Sequence, residues 1–145
     1  MNYSNISASS TASAIDLINA NNTNITFSTI NYTGTQTGTG VIFMQNANSS
    51  FISNNVIAGR SSSNQYGINL GNTIDVNEVI TNNTFVNSYN GIRQASAIPI
   101  WNSLIQGNFF VNITNAVFQF DSVTVSNFIG LNITTDNLIS TSTAG

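Results

Sequence analysis

Asp16, Asp75, Glu78, Asp121 and Asp136 are the only acids in the 145-residue chain, and Arg60 and Arg93 its only bases. Carboxylates do chemistry when they are brought together. A pair flanking a glycosidic bond can hydrolyse it, and a cluster can hold calcium beside a basic residue. Only Asp75 and Glu78 stand within a few residues of each other, at opposite ends of a turn before Val79. They read as two solvated loop charges, so no catalytic residue, metal ligand or cofactor is assigned and enzymatic activity is not expected. Histidine and cysteine are both absent, which removes disulfides, thiolate chemistry, zinc sites and a histidine base or triad. A net charge of -3 offers nothing to neutralise a phosphate backbone, so nucleic acid is not an expected partner.

The elements that would position any such residues come from a unit of about 24 residues. It is clearest from Gly67 to Ile139, each copy carrying three short apolar strands with turn residues between them. A small residue followed by Ile or Val recurs at Ala14-Ile15, Gly40-Val41, Gly67-Ile68, Gly91-Ile92 and Ala116-Val117. Ile25, Ile52, Ile80, Ile105 and Ile129 form a second column, and Ile30, Ile57, Phe85, Phe110 and Thr134 a third. Three residues after each Ile of the second column stand Ser28, Asn55, Asn83, Asn108 and Asn132. Stacking coils about 4.8 Å apart pairs the backbone groups that each coil leaves open above and below. Asn side chains can bond along the same direction, so Asn55, Asn83, Asn108 and Asn132 are expected to form a ladder at the turn.

The expected fold is therefore all-β, a single-stranded parallel β-helix, or β-solenoid, of about five coils. It spans residues 14–139, after a loose arm or cap at 1–13 and before an uncharged tail at 140–145. Ala14 to Ile18 could also form a short helix, though strand fits the repeat better, and a β-sandwich of the same strands is the rival architecture. Pro99, between Ile98 and Ile100, marks a bend or break in a ladder.

The phrase Ile80-Thr81-Asn82-Asn83-Thr84-Phe85-Val86-Asn87 leading to Gly91-Ile92 resembles the repeat of right-handed parallel β-helix proteins. These form the pectate-lyase-like superfamily, which includes viral tailspikes and secreted surface proteins. The resemblance implies right-handed coiling, which the chirality of parallel crossovers also favours. It does not imply one function, because the superfamily hosts lyases, hydrolases, epimerases, adhesins and inert shafts. In related enzymes the outer surface of the first strand binds sugar chains, and alternation points Arg93 there, with Asn69 and Asp16 in its column. Tyr66 and Tyr89 precede Gly67 and Gly91. Together Tyr66, Asn69, Tyr89 and Arg93 are the candidate glycan contacts.

In the same register Ile42, Met44, Phe118 and Phe120 point outward, which predicts an association face. A locally reversed alternation would instead put them inside. Nine N-x-S/T sequons occur, of which Asn21, Asn31, Asn48 and Asn112 are candidate glycosylation sites. Asn82 and Asn132, near the expected ladder, are the least suited. The N-terminus has no signal-peptide pattern, and no run is long enough to cross a bilayer. The expected role is a structural or adhesive solenoid of a filament, virion fibre or cell surface, located outside the cell. It would self-associate by axial stacking or as a lateral trimer, with surface glycan as a possible partner. The alternative is a carbohydrate-active domain related to glycoside hydrolases or polysaccharide lyases.

Overall fold

The structure, a computed structural model, describes residues 4–9, 12–35, 38–61, 64–71, 75–95, 100–121 and 130–140. The short apolar runs form strands and no helix appears among the described residues. Three parallel sheets make a β-solenoid of about four turns, where about five coils were expected. Because every pairing is parallel, the antiparallel β-sandwich is excluded.

The first sheet stacks β2 (Ile15–Ile18), β5 (Gly40–Gln45), β8 (Tyr66–Leu70), β12 (Asn90–Gln94) and β16 (Ala116–Phe120). The second stacks β3 (Asn24–Thr26), β6 (Phe51–Ser53), β10 (Val79–Thr81), β14 (Leu104–Gln106) and β17 (Asn132–Ile133). The third stacks β1 (Ser4–Ala8), β4 (Ser28–Tyr32), β7 (Val56–Ala58), β11 (Thr84–Val86), β15 (Phe109–Val111) and β18 (Leu138–Ser140). A small fourth sheet pairs β9 (Asp75–Val76) with β13 (Ile100–Trp101). Ile15–Ile18 is strand, not helix. The expected N-terminal arm contains β1, which lies parallel to β4 and extends the third sheet by one rung.

One apolar residue per short strand faces the interior. Ile25, Ile52, Ile80 and Ile105 align in the second sheet, and Ile30, Ile57, Phe85 and Phe110 in the third, all buried. Each such side chain contributes about 1.5–3 kcal/mol by leaving water. Phe85 and Phe110 stack with centroids 4.8 Å apart and planes 7° from parallel, a separation that matches the rung spacing. In the last rung Ile133 and Ile139 fill the two columns where Ile129 and Thr134 were expected. Ile129 and Pro99 lie outside the described residues.

The first sheet departs from the expected register by one residue in two of its strands, β5 and β16. Val41, not Gly40, occupies the position of Gly67, because Gly40 pairs with Tyr66 and Ile42 with Ile68. Likewise Ala116 pairs with Asn90, and Phe118 with Ile92. Ile42 and Met44 are therefore completely buried, and Phe118 packs edge-on against Phe110 at 5.3 Å. Phe120 packs against the same core. The expected association face is thus interior. The reason is steric: a Cβ at Gly67 would meet the Phe85 ring at 2.5 Å, and one at Gly91 the Phe110 ring at 2.6 Å. These positions face inward as well as the Ile that follows each of them, so simple alternation fails where the strand enters from the turn.

Turns end the strands through left-handed residues. Among the described residues, ten of the twelve non-glycine residues with positive φ are Asn, with Phe27 and Ser49 as the exceptions. Asn tolerates this conformation because its short polar side chain can bond locally. Among the described residues no helix is long and apolar enough to cross a membrane.

Candidate functional site

The turn between the second and third sheets carries the Asn ladder, built as a chain of carboxamides. Asn55 Nδ2 donates to the Ile25 carbonyl at 2.8 Å in the rung before and to Asn83 Oδ1 at 3.0 Å in the rung after. Asn83 repeats this with Ile52 at 2.8 Å and Asn108 at 3.1 Å. Each Oδ1 also accepts a backbone N–H, from Ser28 to Asn55 at 2.9 Å, from Asn55 to Asn83 at 3.1 Å and from Asn83 to Asn108 at 3.0 Å. Each carboxamide therefore ties three rungs together, and Asn83 and Asn108 use both amide donors and accept two bonds at Oδ1. Asn132 is not a member. It is exposed on β17 opposite Leu104, and Asn137 accepts from Asn108 in its place at 3.0 Å.

A second ladder stands at the turn before the second sheet. Ser50 N–H donates to Glu78 Oε2 at 3.1 Å, and Glu78 N–H to Ser103 Oγ at 3.0 Å. Glu78 is 1% exposed, not a solvated loop charge. Its carboxylate holds a buried backbone donor that would be costly to leave open. Asp75 lies on β9 opposite Ile100. Asp136 accepts from the Thr134 hydroxyl and from Gly107 N–H at 3.2 Å. These bonds, the Thr134 one foremost, hold its carboxyl below the ordinary range. Among the described residues no three acids stand together as metal ligands.

On the outer face of the first sheet, Asp16, Phe43, Asn69, Arg93 and Gln119 form one column, as expected for Asp16, Asn69 and Arg93. Arg93 lies 4.6 Å over the centre of the Tyr66 ring and pairs with Asp121 through Nε at 2.9 Å and Nη2 at 2.5 Å. Gln119 Nε2 donates to the other Asp121 oxygen at 2.8 Å, and Gln119 Oε1 accepts from Asn90 Nδ2. Burial under this network raises the Tyr66 hydroxyl above its usual 10.0, against the opposing pull of Arg93. Of the four candidate glycan contacts, Tyr66, Asn69 and Arg93 share this face, but Tyr66 and Asn69 are buried. Asn69 lies beneath the loop that supplies the Gly38 carbonyl, to which it donates at 3.3 Å. Tyr89 aligns with Gln65, not with Tyr66, because Asn90 is the residue opposite Tyr66.

Among the sequons, Asn21 and Asn31 are exposed, whereas Asn48 and Asn112 are half-buried and Asn112 donates to Asn87 at 2.9 Å. Asn82 and Asn132, expected to be shielded by the ladder, are both exposed. The second ladder and the left-handed Asn columns escaped the sequence reading. Ser, Glu and Ser do not look like one column, but three turn positions ending in Asn at the same offset did carry the signal. Compared with family models, curated proteins and solved structures, the chain matches none.

Proposed function

We propose that this chain is a structural or adhesive β-solenoid of the pectate-lyase-like kind, working outside the cell in a filament, on a surface or in a virion fibre. One observation carries the reading: the Asn column, Glu78 and Arg93 bind the wall to itself. Asn55, Asn83, Asn108 and Asn137 run through four successive rungs. Glu78 accepts a backbone donor of the neighbouring rung, and Arg93 is held between Tyr66 and Asp121. A scaffold gains from such vertical bonding, whereas a carbohydrate-active enzyme needs an acid pair open to substrate. Self-association fits the same role and is expected in solution. The test is to incubate the purified chain with a panel of polysaccharides and measure reducing ends, alongside a glycan array and sedimentation. The scaffold reading expects no cleavage and a mass above the monomer. Cleavage abolished by Asp16→Asn or Asp121→Asn would favour a carbohydrate-active domain instead.

A further inference from the structure

At the N-terminal end of the same outer face, Ser13, Asp16, Ile18, Thr39 and Phe43 line an open groove of about 360 Å³. Asp16 and Phe43 are register neighbours on β2 and β5 and so lie side by side across the sheet. Unlike Asp121 further along the face, the Asp16 carboxylate has no ion pair or hydrogen bond among the described residues. The Phe43 ring rests against Gly71, where a Cβ would come within 2.8 Å of Cζ, so the absent side chain makes the seat for the ring. Ile18 is 53% exposed beside it, and the Thr39 hydroxyl is shielded without a partner.

We propose that this groove binds an alkylammonium group, the charge set against Asp16 and the carbon chain along Phe43 and Ile18. An anionic group beside an aromatic face suits an organic cation, because the carboxylate supplies the counter-charge and the ring a favourable quadrupole. Thr39 and Ser13 hydroxyls supply acceptors for the remaining N–H donors. The chain cannot fill the site with a lysine of another copy, because both of its basic residues are arginines. Arg93 is paired to Asp121, and Arg60 donates to the Thr33 and Gly34 carbonyls. A hard divalent cation would want several carboxylates, and here there is one.

The full chain, labelled with nitrogen-15, is titrated with n-butylammonium chloride, and in parallel with n-butanol and with calcium chloride. Butylammonium should shift the amides of Asp16, Thr39 and Phe43 with a Kd on the order of millimolar, as an exposed ion pair with one cation–π contact allows. Asp16→Asn and Phe43→Leu should each weaken it about three- to tenfold. Raising sodium chloride should weaken wild-type binding as well, a readout that needs no variant to fold. The proposal fails if butanol shifts the same amides as strongly, since the groove would then be merely apolar. It fails equally if calcium binds tighter than butylammonium, if the response ignores salt, or if Asp16→Asn, with its spectrum intact, binds unchanged.

Discussion

At the residue scale, the abundance of Asn has a conformational cause. Left-handed backbone costs most residues about 1–2 kcal/mol, and Asn much less. Phe27 breaks the rule, with φ 51° in a column otherwise filled by Asn54, Asn82 and Gly107. Phe27→Asn is therefore expected to stabilise the protein by about 1 kcal/mol, measured by urea unfolding, provided that the half-buried ring gives up little packing. A lower midpoint would mean that its contacts outweigh the strain. In the ladder, Asn83→Ala and Asn108→Ala should each cost about 1–3 kcal/mol, because both leave backbone donors of the neighbouring rung unpaired in a buried turn. Exposed Asn31, with ordinary backbone, should lose less than about 0.5 kcal/mol as Ala. Asn64 would be a poor control, since it is exposed yet has φ 62°. Equal effects at Asn83, Asn108 and Asn31 would deny the ladder its role.

At the element scale, most of the fold was legible because the second and third sheets keep one inward residue per three-residue strand. Columns such as Ile25, Ile52, Ile80 and Ile105 could be aligned without coordinates. The first sheet was less legible because two consecutive positions face inward at its entry, so Val41-Ile42 and Val117-Phe118 each offered two apolar choices. Aligning Gly40 and Ala116 with Gly67 and Gly91 would turn Ile42 and Phe118 outward, whereas Val41 and Val117 hold those positions. The last rung is longer, which moves the ladder position from Asn132 to Asn137. The Arg93–Asp121 pair could not be read, since it joins strands through a register that the same slip obscured. Gly91→Ala tests the entry geometry. Its Cβ would come within 2.6 Å of both the Phe110 ring and the Val117 carbonyl. Overpacking of this kind should cost about 1–3 kcal/mol, read as a lower unfolding midpoint. The network that joins β8, β12 and β16 gives a pH signature. The Tyr66 hydroxyl titrates above 10.0 in the fold, so the stability it contributes is whole below that value and is lost as pH rises through its folded value. Tyr66→Phe should flatten that alkaline loss and remove one tyrosine, raised above 10.0, from an absorbance titration. An unchanged profile would place Tyr66 in water.

At the scale of the whole molecule, the outward charges of the first sheet and the exposed apolar row of the third lie on different faces. The first sheet carries Asp16, Arg93 and Asp121 outward, while the outer row of the third sheet runs Thr29, Val56, Thr84, Phe109 and Leu138 without a charge. Val56, Phe109 and Leu138 are 40%, 39% and 64% exposed. Phe51, on the second sheet, is 39% exposed. A flat sheet face of this composition favours contact with another sheet face, so lateral association should run through the third sheet and not through Ile42, Met44, Phe118 and Phe120. Axial association would instead use Ile139, which sits in the inward column of β18 and is 56% exposed. Three substitutions separate these outcomes. Phe109→Lys should reduce a lateral assembly to monomer while leaving the unfolding midpoint nearly unchanged, because the side chain is already partly in water. Ile139→Lys should block axial stacking and spare the lateral contact. Phe118→Lys should do neither, but should lower stability by about 3 kcal/mol or more, since it drives a charge against Phe110 in the core. Sedimentation across a wide concentration range, paired with urea unfolding, reads all three. If Phe118→Lys dissociated an assembly at unchanged stability, the assignment of Phe118 to the interior would have to be withdrawn. A wild-type chain that stays monomeric at every concentration would remove self-association from its function.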